Sequence, residues 1–320
     1  MSLISELKNG LHFKSKKTAF WVGIVLALLA AIFASTIPIV GKALVDPSYG
    51  FVEDAVHPLN MAIFLGLIAG LLFTPFARGK QSPAKFSKKS LFFVIILGMT
   101  DVAAITTNFF GLQHTTAVNA TILLNTDLLF VLLIAIIVFK ERIQKRETLP
   151  LGLVALGAII IPLGVDIAQN GTFTSGFVFG DMMILLAAGL FAFDISITKF
   201  LVTRIPDLRI LQISAFAGVP FALILMMIFQ VPFDLPVEHL PIIVYVGIFV
   251  SGLSYYFFII AMRLIGAIRT ILIYSTITIF GISFSAIFLG EEITPLNIVS
   301  VIIIILGIYL LRQKIASMEE

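Results

Sequence analysis

The sequence predicts an all-α integral membrane protein, with ten transmembrane helices arranged as two five-helix repeats of opposite orientation. Three observations carry this expectation: an apolar composition, ten apolar stretches of helix length, and a charge distribution that alternates with them. Hydrophobic residues make up 59% of the 320 and charged ones 12%, with a mean hydropathy of +1.11. A soluble domain carries about 25% charge. This apolar content fills nine or ten spans of about 20 residues each. The 30 Phe and 23 Gly suit helices packed in lipid, where small residues allow close approach and bulky ones face acyl chains.

The first stretch, 20–44, follows Lys14, Lys16 and Lys17 and stops at Asp46-Pro47. Those lysines resemble a signal-peptide n-region, but the stretch exceeds the usual 7–15 apolar residues of an h-region, which predicts a retained span. The second, 57–77, ends before the basic run from Arg78 to Lys89. The third and fourth, 91–112 and 115–139, are separated by a polar turn, and the fourth closes on Lys140-Glu141-Arg142. The fifth, 148–166, ends before Asn170-Gly171. The remaining stretches cover 178–201, 208–230, 240–262, 266–289 and 294–311. Ahead of them all, Leu3, Ile4, Leu7 and Leu11 recur at helical spacing, suiting a short helix on the inner surface or an unstructured tail.

Lys and Arg gather on the cytoplasmic side of membranes, so they test the count independently. With the N-terminus inside, every one of the 21 Lys and Arg except Lys42 falls in an inner segment. The outer loops carry Asp46, Glu53, Asp54, Asp166, Asp181, Asp234, Glu238, Glu291 and Glu292. Both termini are therefore expected in the cytoplasm, with the protein in the plasma or inner membrane.

Shifting the sequence by 150 sets residues 117–143 on 267–293 without a gap, matching Ala117 to Ala267, Thr126 to Thr276, Glu141 to Glu291 and Ile143 to Ile293. The same shift pairs Leu156-Gly157 with Leu306-Gly307, and a shift of 157 sets 30–44 on 187–201. Five spans per half is odd, so the halves run in opposite directions, and the inner Glu141 loop is accordingly basic where the outer Glu291 loop is acidic. Inverted repeats are the signature of alternating access, because each half can take up the other's conformation. The expected organisation is a cytoplasmic segment 1–19, repeats 20–166 and 167–312, and a cytoplasmic tail 313–320.

This layout resembles the EamA-type drug/metabolite transporters. The resemblance rests on the 5 + 5 arrangement, the Ala-rich starts of the fourth and ninth spans, and the endings Phe139-Lys140-Glu141-Arg142 and Leu289-Gly290-Glu291-Glu292. The sequence has Leu128 and Thr278 where the family often has a mid-helix proline. The resemblance implies transport of small metabolites through a central cavity lined by spans 1, 3, 4, 6, 8 and 9, with spans 5 and 10 peripheral.

An ionisable residue near the bilayer centre costs about 2.5 kcal/mol or more and marks a functional candidate. Asp101, Asp127 and Asp194 are so placed. At 100° per residue, Thr100, Asp101, Ala104, Thr107, Asn108 and Gly111 share a stripe, and Thr115, Thr116, Asn119, Thr126 and Asp127 share another. Facing stripes make a polar cavity; the bland alternative is that they bond neighbouring helices. Tyr255 and Tyr274 join the candidates, because a buried phenol needs a hydrogen-bond partner and its ring can hold a cation. Lys42 invites an outer partner, Asp46 or Asp181. Lys199, Arg263 and Arg269 read as snorkelling anchors, and Glu141 and Glu291 as conformational or packing groups.

Cysteine is absent, which excludes disulfides, Cys-ligated zinc, iron-sulfur clusters and thiol catalysis. His12, His57, His114 and His239 lack metal-site spacing, no phosphate-binding Gly-rich loop occurs, and a net charge of +3 does not point to nucleic acid. The expectation is a secondary carrier without cofactor, monomeric or homodimeric, whose partners are the bilayer and a small polar solute. Three central aspartates suit a cationic or zwitterionic solute better than an anion. A phosphate-ester or nucleotide-sugar exchanger needs paired Lys or Arg deep in the cavity, and a scaffold or lipid-modifying enzyme is the reading from another class. At least one of Asp101, Asp127 and Asp194 is expected to change protonation during transport, because a desolvated carboxylate holds a proton that it releases to water.

Overall fold

The computed structural model describes residues 16–77, 87–139, 149–150, 152–157, 160, 176–201, 204–234, 237–265 and 267–317. The segment 1–15, the loop with Glu141 and most of the fifth predicted span, with Asp166, lie outside the described residues. Those described are all-helical. The helices are α1 (Lys16–Ala34), α2 (Ile37–Val45), α3 (Pro58–Ala77), α4 (Lys88–His114), α5 (Ala117–Leu124), α6 (Asp127–Phe139), α7 (Gly176–Leu201), α8 (Asp207–Phe229), α9 (Leu240–Tyr245), α10 (Tyr255–Ile265), α11 (Ala267–Tyr274), α12 (Ile277–Leu289) and α13 (Pro295–Ser317). A π-helical stretch, Val246–Ser254, joins α9 to α10. Six helical runs are long and apolar enough to cross a membrane: Lys17–Val45, Pro58–Pro75, Lys88–His114, Val178–Thr198, Leu208–Phe229 and Val237–Phe258. Shorter apolar runs occupy Ala117–Val131, Ile277–Leu289 and Pro295–Gly307. Large apolar side chains such as Trp21, Leu71, Met227, Phe229 and Ile287 point outward, as lipid-facing residues do.

Three predicted spans are broken in the middle, and the breaks share one chemistry. They fall at Ser35-Thr36, Asn125-Thr126 and Ser275-Thr276. In each, the Thr hydroxyl donates to the carbonyl three residues back: Thr36 to Phe33 at 2.7 Å, Thr126 to Leu123 at 2.7 Å and Thr276 to Ile273 at 2.6 Å. The same Thr amides bond to those carbonyls too, an i−3 pattern that tightens the turn. Pro38 reinforces the first break by removing an amide donor. The other two lie at positions related by the shift of 150, and so do the bounds of α5 and α11 and of α6 and α12.

The packing follows the same correspondence. The broadest contact joins α4 to α7, and α10 and α1, which the shifts of 150 and 157 set on them, also pack together. Between the helical segment 152–157 and α13 the contact is reciprocal: a Cβ on Gly157 would meet Ile304 and the Ser300 carbonyl, and one on Gly307 would meet Val154 and the Pro150 carbonyl. These partners are themselves related by the shift of 150.

α4 and α8 approach closely because each presents a glycine to the other. A Cβ on Gly98 would lie 2.3 Å from the Ser214 carbonyl oxygen, and one on Gly218 would lie 2.7 Å from the Gly98 oxygen. Neither clash can be relieved by turning a side chain, since both partners are backbone. Gly98→Val is therefore expected to force the helices apart and cost about 2–3 kcal/mol, the upper part of the usual overpacking range. Thermal unfolding in detergent checks this, with Gly152→Val, where a Cβ meets nothing, as the control.

Candidate functional site

Asp127 opens α6, directly after the break in the fourth span. A carboxylate is favoured there by the free amides and dipole of the half-helix it begins. Tyr274 closes α11 at the symmetry-related break, within electrostatic reach of Asp127 and beside Tyr255. Its hydroxyl shares a hydrogen bond with Ser254. Ser254 Oγ also donates to the Ala30 carbonyl of α1 at 2.8 Å. Phe258 packs edge-on against the Tyr274 ring, with centroids 4.8 Å apart. The structure thus brings Asp127, Tyr255 and Tyr274 into one cluster where the first, fourth, eighth and ninth spans meet.

Asp101 and Asp194 form a second, separate group. Asp101 lies midway along α4, and Asp194 sits on α7 with 8% of its surface exposed. The Thr100 hydroxyl donates to Asp194 Oδ1, and the charge of Asp101 reaches Asp194. The α4 stripe that carries Asp101 runs along the contact with α7, where Gly111 packs on Ile184 and Gly180. On that helix Asn108 is buried with its Oδ1 unpartnered, and Thr107 is half-buried. Asn119 points elsewhere: its Oδ1 accepts from Asn297 Nδ2 of α13 at 2.8 Å, a buried bond that fastens the last helix to the bundle.

A polar network closes one end of the bundle. The Glu291 carboxylate accepts from the Ala117 and Val118 amides at 2.8 Å each, capping α5, and from the Tyr49 hydroxyl at 2.9 Å. Burial and the neighbouring Glu291 charge push the Tyr49 phenol above its ordinary range, so it remains a donor. Lys42, 4% exposed, pairs with Asp46 at 2.7 Å and donates to the Leu112 carbonyl at 2.6 Å. Burial alone would raise the Asp46 carboxyl, but hydrogen bonds from Lys42 and Ser48 outweigh it and hold the group below the usual carboxylate range. Thr115 donates to Asp181, tying the ends of α4 and α7. These bonds bridge elements that enter the bundle from five different spans. Arg269, at the other end, is exposed beside the Phe20 ring at 5.3 Å, and the side chains of Lys199 and Arg263 lie outside the described residues.

Facing α2, α9 and α12 is an apolar cleft of about 470 Å³, lined by residues such as Ile39, Phe51, Tyr245 and Phe288. Its lining offers little to a polar solute. Among the described residues no three His, Asp or Glu side chains gather as metal ligands.

Hydropathy and charge placement do not reveal the three breaks or the role of Glu291 as a cap. A signal for the breaks was present: a Ser or Asn followed by Thr, recurring inside three apolar spans. The Glu291 contact joins residues 174 positions apart and leaves no local trace.

Residues 21–163 and 178–313 match the EamA-like transporter family. An uncharacterized transporter of Methanothermobacter thermautotrophicus is 27% identical over 275 residues, which cover 81% of this chain and 79% of the relative. One from Clostridium kluyveri is 24% identical over 89% of this chain and 91% of the relative. The transporter YetK of Bacillus subtilis is 24% identical over 89% of this chain and 84% of its own length. A solved crystal structure is similar in fold, with a TM-score of 0.61 over 93% of this chain and 98% of that one at 17% identity.

Proposed function

The chain belongs to the EamA-like transporter family, and from that premise we propose that it is a secondary carrier for a small cationic or zwitterionic metabolite, such as an amino acid or amine. The observation that carries this reading is the Asp127 cluster. A carboxylate at a helix break, beside two phenol rings, suits an ammonium group that needs both a counter-charge and an aromatic face. The breaks supply a polar backbone at membrane depth, which lipid-exposed helices cannot offer.

In this reading ten spans form two inverted repeats, 20–166 and 167–312, with both termini in the cytoplasm and the protein in the cell membrane. The shared bounds of the broken helices and the reciprocal glycine contacts support that arrangement. The Glu291 and Lys42 networks close the outer end in this state. Opening the outer side means releasing those bonds while the inner end closes, and a proton gradient drives the exchange.

The absence of cysteine makes topology directly measurable. Single cysteines at positions 85 and 145 are expected to resist a membrane-impermeant maleimide added outside intact cells, and those at 50 and 234 to react. The opposite pattern overturns the arrangement. For the solute class, uptake of lysine, choline, nucleosides and sugar phosphates into proteoliposomes is the test: uptake of the ammonium-bearing solutes supports the reading, and uptake of sugar phosphates alone refutes it.

A further inference from the structure

We propose that Asp101, Asp194 and Thr100 form a one-proton site in the α4–α7 contact, distinct from the Asp127 cluster. That this site couples transport to a proton gradient rests on the carrier reading above; that it binds a proton does not. The first observation is that Asp194 is more than nine-tenths buried, with Oδ1 against the Thr100 hydroxyl and Oδ2 without any hydrogen-bond partner. A buried carboxylate oxygen left bare is costly, and a proton on the group removes most of that cost. The second is the neighbouring Asp101, whose charge is felt at Asp194. Two adjacent carboxyls in an apolar surrounding do not both stay ionised; they hold one proton between them and titrate as a pair.

Thr100 gives the site two hydrogen-bonded states. Its hydroxyl has one proton and three acceptors in reach: the Ile96 carbonyl at 3.0 Å, the Leu97 carbonyl at 3.1 Å and Asp194 Oδ1. When Asp194 is ionised the hydroxyl turns to it. When Asp194 carries the proton, it donates to the Thr100 oxygen and the hydroxyl returns to its own helix. The exchange needs only a hydroxyl rotation within a fixed helix contact.

α4 also carries Lys88, Lys89 and His114 at its ends, and Lys89 lies over the Phe200 ring at 5.8 Å. α7 carries Asp181 at its outer end and Lys199 near its inner end; α8 carries Asp207 and Arg209; α6 carries Asp127; and α2 carries Lys42, which pairs with Asp46. α3 and α5 carry none. Among the described residues, the charge that acts on Asp194 is that of Asp101.

Infrared difference spectroscopy of the full-length protein in lipid, with the pH raised stepwise in water and in deuterium oxide, reads the proton directly and needs no solute. The wild type is expected to show a protonated-carboxyl band that disappears with alkalinity. Asp194→Asn should remove it, Asp101→Asn should move its loss to more acidic buffer, and Thr100→Val should delay its loss. A band unchanged in both Asn variants overturns the proposal, and so does a band erased by sodium at constant pH. If the Asn variants do not fold, Thr100→Val decides alone, because a titration identical to wild type contradicts the two-state hydroxyl. A missing band in a protein that still transports removes the proton site only, and an intact band in one that moves no solute removes the carrier reading only.

Discussion

Asp127→Asn is expected to cut uptake of an ammonium-bearing solute by about 100-fold or more while leaving the fold intact. Truncating one partner of a buried charge pair costs about 2–5 kcal/mol, and 2.7 kcal/mol already corresponds to about 100-fold. Asparagine keeps the size and the ability to sit at the start of α6, so the helix break survives. Tyr274→Phe should have a smaller effect, about 10-fold, since it keeps the ring against Phe258 and loses only the hydroxyl bond to Ser254. Initial rates in proteoliposomes, normalised to protein in the membrane, check both. Equal thermal unfolding of variant and wild type separates lost binding from lost structure. Near-normal uptake in Asp127→Asn would move the solute site elsewhere.

Glu291→Ala is expected to lower stability by about 3 kcal/mol and to unseal the outer end. The substitution strands two amides at the start of α5 and the Tyr49 hydroxyl, each of which now donates to the carboxylate. Hydrogen bonds to a charged group contribute about 1.5–3 kcal/mol each, and neighbouring water recovers part of that at a helix end. Glu291→Gln keeps one acceptor oxygen and should fall between. Val118, 1% exposed beneath the seal, provides the second readout. A single cysteine at position 118 should stay unreactive to an external maleimide in the parent and become reactive with Glu291→Ala. Unchanged stability and unchanged protection together would show that the capping bonds do not hold the outer end closed.

Much of this fold is legible in the sequence because membrane insertion imposes simple rules. Apolar runs of helix length mark helices that bury one face and leave the other to lipid. Named helices occupy nine of the ten predicted stretches, some as two or three segments, and the helical segment 152–157 lies in the remaining one. The last helix runs to Ser317, past its predicted end at 311, because Leu311 and the residues after it continue the helix beyond the apolar core. The interior of the site is less legible. Helical periodicity places Asp101 and Asn108 on one face and Asn119 and Asp127 on another, but it cannot say which helix each face meets. α4 turns its stripe to α7, and Asn119 serves α13. Eight candidate residues therefore divide into an Asp127–Tyr255–Tyr274 cluster, an Asp101–Asp194 pair and the separately placed Thr107, Asn108 and Asn119. The division depends on packing between spans distant in sequence, which no local pattern encodes.

Counterflow in proteoliposomes tests the central claim most directly. Vesicles carrying the wild-type protein are preloaded with unlabelled choline or lysine and diluted into the labelled solute. A carrier with a single alternating site accumulates label transiently above the outside concentration, and the account predicts this overshoot for an ammonium-bearing solute and its loss in Asp127→Asn. An overshoot obtained only with sugar phosphates, or one that Asp127→Asn leaves unchanged, would contradict it.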